Sequence, residues 1–262
     1  MSGNYPKRNT VDVDRFPEWE PFAEAVKRRR PDAGTWCEAW TVRDIVIHQT
    51  GNAEELARVL GAHLAGRPVA TRGSAEREAP FRAMRDAELW PAFVDRMGRL
   101  SDVAEAAEDL PEDTDVAWTG RTMKVPWFAE HMREELVLHG WDITGDDRAA
   151  QQRLGQWWMT EHSVQAVGQP LLRRGATKLG LGAGERFEAR LRVSGTADVV
   201  VTAASDSTSI ELAVTGGQAT LETDAAARVL LLWGRRPADP SRICSSVGPQ
   251  ALGRLRTLLS GY

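Results

Sequence analysis

The segment "HMREELVLHGWDITG", residues 131–145, places two histidines and three acidic residues among large apolar residues. In a helix, residues three or four positions apart lie on the same face. Glu135 and His139 are therefore about 40° apart around the axis, and their side chains can reach one point. Glu134 lies on a different face, and His131 lies about 12 Å from His139 along the axis, so His131 is only an alternative ligand. The segment predicts a helix that carries one Glu-His pair at a spacing suited to a metal ion.

The sequence before residue 150 has helical periodicity almost throughout. The predicted helices lie near 17–30, 41–65, 86–108 and 126–143. The second begins at "TVRD", residues 41–44, which has the pattern of a capping box. Pro126 lies in the first turn of the fourth helix and Gly145 follows its end, as is usual for these residue types. Four helices of this length predict an antiparallel bundle.

The sequence after residue 150 changes to strand periodicity. It begins with a helical stretch that Pro170 is expected to interrupt, and continues with β-branched runs separated by Gly, Ser and Asp. The runs are "FEARLRVSG", "ADVVVTAA", "SIELAV" and "ATLET", and two further helices are predicted over 223–234 and 247–260. The fold class is therefore α+β, with a four-helix domain over residues 1–148 and a smaller α+β domain over residues 149–262, since the chain exceeds the usual size of one domain.

Composition excludes several classes of protein. The net charge is −4 without a basic stripe, which argues against a nucleic-acid partner. The chain has no apolar run of about 18 residues and no signal-peptide core, so we expect a cytoplasmic protein with no membrane association. The two cysteines, Cys37 and Cys244, are far apart and do not indicate a disulfide framework.

A catalytic metal usually has three protein ligands and one open position, so the Glu-His pair needs a partner from another helix. His48, in the second predicted helix, is the best candidate, because Asp44 precedes it by one turn and could accept its other ring N–H. Asp142 could accept the other ring N–H of His139 in the same way, whereas His63 and His162 have no such partner nearby in the sequence. The alternative is structural: the Glu-His pair is a hydrogen-bonded helix face, and His48 is a core residue.

Two segments carry a resemblance to a known family. The segments are "WTVRDIVIH", residues 40–48, and "REELVLHGWD", residues 133–142. They resemble the two signatures of the DinB-like, mycothiol-dependent maleylpyruvate isomerase family. The resemblance implies a bundle that binds zinc, or another divalent metal, through a His late in the first signature and a Glu-x-x-x-His in the second. These fall on His48, Glu135 and His139.

The resemblance is weaker elsewhere in the chain. The segment "LLLWGRRP", residues 230–237, resembles the end of the sterol-carrier-like C-terminal domain that is common in the family. One departure lies in the first signature, where the family usually has Pro-Gly before its Trp, whereas Glu38 and Ala39 precede Trp40 here. This departure affects the turn before the helix rather than the metal ligands.

The family resemblance implies a function. The protein would be a zinc enzyme that activates mycothiol, because a thiol bound to Zn²⁺ loses its proton near neutral pH. The thiolate would add to a small electrophilic substrate. A cis-trans isomerase would then release the thiol unchanged, whereas a thiol S-transferase would release a conjugate, and the zinc ligands do not discriminate between them. We expect a monomer or a homodimer.

Other residues and other functions stay open. A carboxylate substrate would need an arginine, and Arg82 in the link before the third helix and Arg235 in the C-terminal signature are the candidates. Cys37 and Cys244 are rival nucleophiles, but neither has a His nearby in sequence, and we expect both to be buried, inert thiols. The alternative functions are a zinc hydrolase or other transferase on the same bundle, and a non-enzymatic module that binds an apolar ligand through its C-terminal domain.

Overall fold

The computed structural model describes residues 11–119 and 121–260, and of Val167 only the backbone. These residues form two compact units, and the division falls between Thr144 and Gly145. The independent domains over 1–148 and 149–262 stay a prediction, because compactness does not test whether each part folds alone.

The first unit is mainly helical. Its helices are α1 (Trp19–Lys27), α2 (Val42–Leu64), α3 (Ser74–Arg82), α4 (Asp86–Ala106) and α5 (Pro126–Thr144). Four of them lie where the sequence predicted helices. The short helix α3 is additional, and so is an antiparallel pair of four-residue strands, β1 (Asp115–Trp118) and β2 (Arg121–Lys124). The helical interpretation missed both because segments this short have too few turns or alternations to give a clear period.

Local sequence signals set the start of α2 and the end of α5, the two helices that carry the predicted metal ligands. At the start of α2 the side chain of Thr41 accepts a hydrogen bond from the backbone of Asp44 (3.2 Å), and the Asp44 carboxylate accepts one from the backbone of Thr41 (3.0 Å). The predicted capping box is therefore present. After α5, Gly145 has a φ of +79°, a left-handed conformation that glycine adopts without steric cost.

The core of the first unit is apolar and includes several aromatic side chains. Its largest fully buried members are Phe16, Phe22, Phe81, Phe93, Phe128, Ile45, Ile47, Leu56, Leu60 and Met97. Helix α5 is buried along most of its length, including Glu134, Glu135, His139 and Asp142. Because burying an unpaired charge is costly, each buried ionisable group on this helix needs a partner or a ligand.

The second unit combines helices with one sheet. In chain order it contains α6 (Arg148–Leu154), α7 (Trp157–His162), a π-helical turn (Ser163–Val167), α8 (Gly168–Leu179), β3 (Arg186–Arg192), β4 (Asp198–Ala204), β5 (Thr208–Ala213), β6 (Leu221–Thr223), α9 (Ala225–Leu232), a 3-10 turn (Pro240–Arg242), β7 (Ile243–Ser245) and α10 (Pro249–Leu258). The strand order is β5-β4-β3-β6-β7, with β3 antiparallel to β4 and parallel to β6.

Two details of this unit differ from the sequence-based expectation. Strand β7 was not predicted, because three residues carry no readable alternation. Pro170 lies in the first turn of α8, directly after the π-helical turn, so the regular α-helical pattern is interrupted just before this proline. The first interruption comes earlier, at Gly155, which caps the end of α6.

The α+β fold class, with a helical bundle followed by a unit that contains the sheet, is confirmed. None of the helices in the described ranges combines the length and the apolar character that a bilayer crossing needs.

Candidate metal centre

The structure brings the three predicted ligands together. Helix α2 supplies His48, and one face of α5 supplies Glu135 and His139. The Nε2 atom of His48 lies 3.4 Å from Oε2 of Glu135, and the Nε2 atom of His139 lies 3.3 Å from the same oxygen. All three candidate ligand atoms lie within 4.8 Å of one another.

A carboxylate faces the other ring nitrogen of each histidine. Nδ1 of His139 lies 2.8 Å from Oδ2 of Asp142, as the sequence predicted. Nδ1 of His48 lies 2.9 Å from Oε1 of Glu78, which is in α3. Because a carboxylate accepts hydrogen bonds, each contact favours a hydrogen on Nδ1, which leaves the lone pair of a neutral imidazole on Nε2. This is the arrangement in which a histidine is usually oriented toward a metal ion.

The predicted partner of His48 was wrong. Asp44 does not contact the imidazole, because its carboxylate caps helix α2 through Thr41 and forms an ion pair with Arg82 (3.1 Å). Burial opposes ionisation of Asp44, but the hydrogen bonds from Thr41 and Arg82 lower its pKa. Glu78 takes the place beside His48, and α3, the helix that carries it, had not been predicted.

The charge of Glu135 and the two imidazoles that face it favour a cation between the three side chains. Burial alone would raise the pKa of Glu135, but the imidazoles of His139 and His48 that face its carboxylate outweigh this effect and hold that pKa well below its usual value of 4.5. Burial likewise opposes protonation of His139, but Asp142 and Glu135 raise its pKa. A carboxylate oxygen and two imidazole nitrogens converge on one point, an arrangement that a proton or a metal ion between them stabilises.

The donor set fits zinc. Ligand atoms at about 2.1 Å from a tetrahedral Zn²⁺ lie about 3.4 Å apart, which matches the separations of 3.4 and 3.3 Å. Two imidazoles and one carboxylate form a common ligand set of catalytic zinc, and three protein ligands leave a fourth position open.

Sequence reasoning missed two buried amide side chains at the trio. The amide nitrogen of Gln49 donates to Oε2 (3.4 Å) and to the backbone oxygen (3.3 Å) of Glu135, which holds this carboxylate against α2. The amide nitrogen of Asn52 lies 3.1 Å from Nε2 of His48. Helical spacing could have suggested Asn52, since it is four residues after His48, but buried amides are too common in helices to indicate a site by themselves.

Trp40 forms an aromatic wall beside the trio. Its ring is nearly parallel to that of His139, with an interplanar angle of 5° and a centroid distance of 5.7 Å, and its centroid lies 5.0 Å from that of His48. The preceding residue, Ala39, has a φ of +67°. The family usually has glycine at this position, and the turn retains a conformation that favours glycine.

The two predicted arginines lie in different surroundings. Arg82 ends α3 and forms ion pairs with Glu78 (2.7 Å) and Asp44 (3.1 Å). Arg235 follows α9 in the second unit and donates to the backbone oxygen of Trp233 (3.3 Å). A role of either one in substrate binding stays a prediction.

The expectation of two buried cysteines was wrong. Cys244 is exposed and Cys37 is half-buried. Cys244 lies in a three-residue strand and Cys37 lies in a loop, and such segments shield a side chain poorly from solvent. Neither feature could be predicted from the sequence. Neither thiol belongs to a group of potential metal ligands in the described parts of the chain.

The helical unit can be assigned to a family. Residues 16–144 match the family model of the mycothiol maleylpyruvate isomerase N-terminal domain. The N-terminal unit belongs to this family. The resemblance that two short segments predicted is therefore confirmed for the mycothiol maleylpyruvate isomerase N-terminal domain, and the match contains all three residues of the trio.

Solved structures extend the likeness to both units. A crystal structure of a mycothiol-dependent maleylpyruvate isomerase is 16% identical in sequence, and a crystal structure of a histidine-to-alanine mutant of such an enzyme is 13% identical. Each alignment covers 90% of this chain and 93% of the other, with a TM-score of 0.59. At such low identity the likeness establishes a shared fold alone. No curated protein sequence matches the chain significantly.

Proposed function

We propose that this protein, whose N-terminal unit matches the mycothiol maleylpyruvate isomerase family, is a zinc-dependent enzyme that activates a low-molecular-weight thiol, mycothiol, for addition to a small electrophile. The observation that carries the proposal is the convergence of Nε2 of His48, Oε2 of Glu135 and Nε2 of His139, at separations of 3.4 and 3.3 Å. The family supports a mycothiol-dependent isomerase, and the zinc ligands and the substrate are the finer parts of the proposal.

Each residue of the site has a distinct task in this proposal. His48, Glu135 and His139 would hold the ion. Glu78 and Asp142 lie against the two Nδ1 atoms and would keep both Nε2 atoms directed at it. A bound divalent ion supplies one chemical effect, which is to lower the pKa of a coordinated thiol so that it is a thiolate near neutral pH. Trp40 covers the imidazoles and limits access of water.

The nucleophile is proposed to be external. Neither cysteine is among the clustered ligand groups of the described residues, and Cys244 is exposed in the second unit. Addition of the thiol to a cis double bond, rotation and elimination would give the trans isomer and return the thiol. An S-transferase would instead consume one thiol for each turnover, so thiol recovery distinguishes the two activities.

The test is a reconstitution with defined components. Purified protein is stripped with a chelator, reloaded with Zn²⁺ and assayed with mycothiol and maleylpyruvate, and the products are identified by mass spectrometry. We expect turnover that requires both zinc and thiol and saturates with thiol.

The matched control is the double variant Cys37→Ser, Cys244→Ser, which should retain activity within about twofold because neither thiol reacts. Turnover with zinc alone would favour the hydrolase alternative. Turnover that survives complete removal of metal would contradict the proposal.

A further inference from the structure

A cavity of about 230 Å³ lies in the first unit between α1, α2 and α4. Its floor is apolar and almost inaccessible to solvent, and it consists of Val42 and Val46 of α2 and Leu89 of α4. The half-buried side chains of Val26, from α1, and Trp90, from α4, form its walls. A concave apolar surface with a few polar groups at its edge is the usual form of a small-molecule site.

The cavity is separate from the trio. Val46 and His48 are two positions apart on α2, which places their side chains about 200° apart around the helix axis, on nearly opposite faces. No member of the trio lines the cavity, and neither Glu78 nor Asp142 does. A ligand in the cavity would therefore not occupy the position of the metal ion.

The rim of the cavity is positively charged. It carries three cations, Lys27, Arg29 and Arg43, and one carboxylate, Asp86. Arg43 neutralises that carboxylate through an ion pair in which Nε lies 2.7 Å from Oδ1 of Asp86. Lys27 and Arg29 therefore remain as the two cations of the rim that Asp86 does not balance.

Neither of these two cations has a close carboxylate partner of its own. Arg29 donates to two backbone carbonyl oxygens, each at 2.8 Å, and forms no ion pair with a carboxylate of the described residues. Nζ of Lys27 lies 3.9 Å from a carboxylate oxygen of Glu24, which Arg28 also contacts at 3.5 Å. Because the whole protein has a net charge of −4, this positive rim is a local feature, and it favours an anion at the mouth of an apolar cavity.

We propose that this cavity binds a small amphipathic anion, whose apolar body fills the space between α1, α2 and α4 and whose carboxylate lies at the rim beside Lys27 and Arg29. The volume sets the size of the ligand. A cavity of about 150 Å³ accommodates benzene, so one of about 230 Å³ accommodates a ligand of about ten non-hydrogen atoms. Octanoate has this size. The inference goes beyond the proposed function and does not depend on it, because neither the metal ion nor the thiol takes part in this binding.

The test measures the binding of three probes that have the same alkyl chain and differ in charge. Octanoate is an anion, octan-1-ol is neutral and octylammonium is a cation. Calorimetry is carried out on the full-length protein, both loaded with zinc and stripped of metal, because a carboxylate could also bind at an open metal position.

We expect octanoate to bind with a dissociation constant of about 0.1 to 1 mM, the range that a ligand of its size reaches. The constant should be the same with and without zinc. Octan-1-ol should bind about two- to fivefold more weakly, because it lacks the contact of a charge with the rim, and octylammonium should bind more weakly still, because the rim repels it.

Two variants test the apolar wall and the charged rim separately. Val26→Phe places a larger side chain in the wall and should weaken octanoate and octan-1-ol alike, by about tenfold or more, because the ligand loses space. Lys27→Gln should weaken octanoate about two- to fivefold and leave octan-1-ol unchanged, since an exposed charge contact contributes modestly.

The matched control is Arg28→Gln. It removes the same charge at the end of the same helix, from a residue that does not line the cavity. The affinities for octanoate and octan-1-ol should both stay at the wild-type value. A loss of octanoate affinity equal to that of Lys27→Gln would mean that only the overall charge of this surface matters, and would overturn the placement of the carboxylate at the rim.

A measurement on the wild-type protein locates the ligand without relying on a variant. The methyl resonances of Val26, Val42 and Val46 should shift when octanoate is added. Those of Val103, which packs beside Gly61 and does not line the cavity, should not shift. If Val26→Phe does not fold, these resonances decide where the ligand binds.

Three further results would overturn the inference. The first is an absence of octanoate binding at about 5 mM, well above the expected dissociation constant. The second is an equal affinity for octanoate and octylammonium, which would mean that the rim does not select charge. The third is octanoate binding that requires zinc, which would place the ligand at the metal ion. None of these results would count against the proposed function, because no thiol chemistry enters the assay.

Discussion

Each unit of the protein contains a cluster of buried ionisable groups, and the two clusters are built differently. In the second unit the buried Asp198 carboxylate accepts hydrogen bonds from Arg190 (3.0 Å) and Arg192 (3.2 and 2.9 Å). In that cluster, the acceptor oxygens of the carboxylate face the N–H donors of the two arginines. In the first unit, Oε2 of Glu135 faces the Nε2 atoms of two imidazoles, and the Nδ1 atom of each imidazole lies against a carboxylate.

The difference shows that burial of charge does not by itself mark a functional site. The Asp198 cluster is complete, because the positive charges of its arginines balance the carboxylate and their donors match its oxygens. In the trio, a carboxylate oxygen and two imidazole nitrogens meet at separations that suit a metal ion, and the side chains of Gln49 and Asn52 that contact them are neutral amides. The direction of lone pairs and hydrogens separates a structural ion pair from a candidate metal centre.

The largest expected effect comes from removing one member of the trio. His139→Ala should reduce zinc affinity at least about 1000-fold and abolish turnover at any thiol concentration, because two ligands do not hold a catalytic metal. The helical unit should stay folded, since its core is apolar. Competitive chelator titration and circular dichroism measure the two properties. If this variant still bound zinc tightly, the trio would not be the metal centre, and the distinction between the two clusters would be lost.

A change in the other cluster should affect stability alone. Asp198→Asn should lower the free energy of unfolding, because it leaves Arg190 and Arg192 without their counter-charge. Denaturant titration measures this, and zinc affinity should be unchanged. A loss of zinc binding in this variant would show that the two clusters are not independent in function.

The Asp198 effect should depend on pH. Burial opposes ionisation of Asp198, but the hydrogen bonds from Arg192 and Arg190 lower its pKa below the usual value of 3.8. A carboxyl whose pKa is lower in the folded state stabilises the fold above its unfolded pKa and loses that contribution as the pH falls toward its folded pKa. The stability difference between wild type and variant should therefore be full above about pH 5 and shrink below about pH 4.

A smaller effect is expected from the groups that orient the imidazoles. Asp142→Asn keeps the shape of the side chain but removes the charge that faces Nδ1 of His139 (2.8 Å). Zinc affinity should fall about 10- to 100-fold, as is usual for such partners of metal ligands. The wild type and the variant are compared by chelator competition at one pH. An unchanged affinity would mean that Asp142, like Asp198, serves only stability.

The smallest effect concerns the turn before Trp40. Ala39→Gly should raise the free energy of unfolding by about 0.5 to 1 kcal/mol, because it relieves the left-handed conformation at a φ of +67°, and the greater freedom of glycine in the unfolded chain offsets part of the gain. Equilibrium unfolding measures this, and zinc affinity should not change. A destabilised variant would mean that the Ala39 side chain makes packing contacts that outweigh the strain.

Whether a contact could be predicted from the sequence depends on how far apart in the chain its two residues lie. The pairing of Glu135 with His139, and of His139 with Asp142, could be predicted because helical geometry fixes neighbours three and four residues apart. The same rule failed for Asp44 and His48, because a capping position competed for the carboxylate. Glu78 and Arg77 lie in a short helix without clear periodicity, so nothing in the sequence indicated that they approach α2.

By itself, the sequence determined four of the five helices of the first unit, the capping box of α2, the α+β class and the two motifs whose family is now assigned. These properties depend on residues within one or two turns of each other, where backbone geometry leaves few choices. Only the tertiary structure decided which carboxylate orients His48 and that Gln49 holds Glu135. Such contacts join residues far apart in the chain, and the packing of α3 on α2 at Gly51, not any local pattern, brings them within reach.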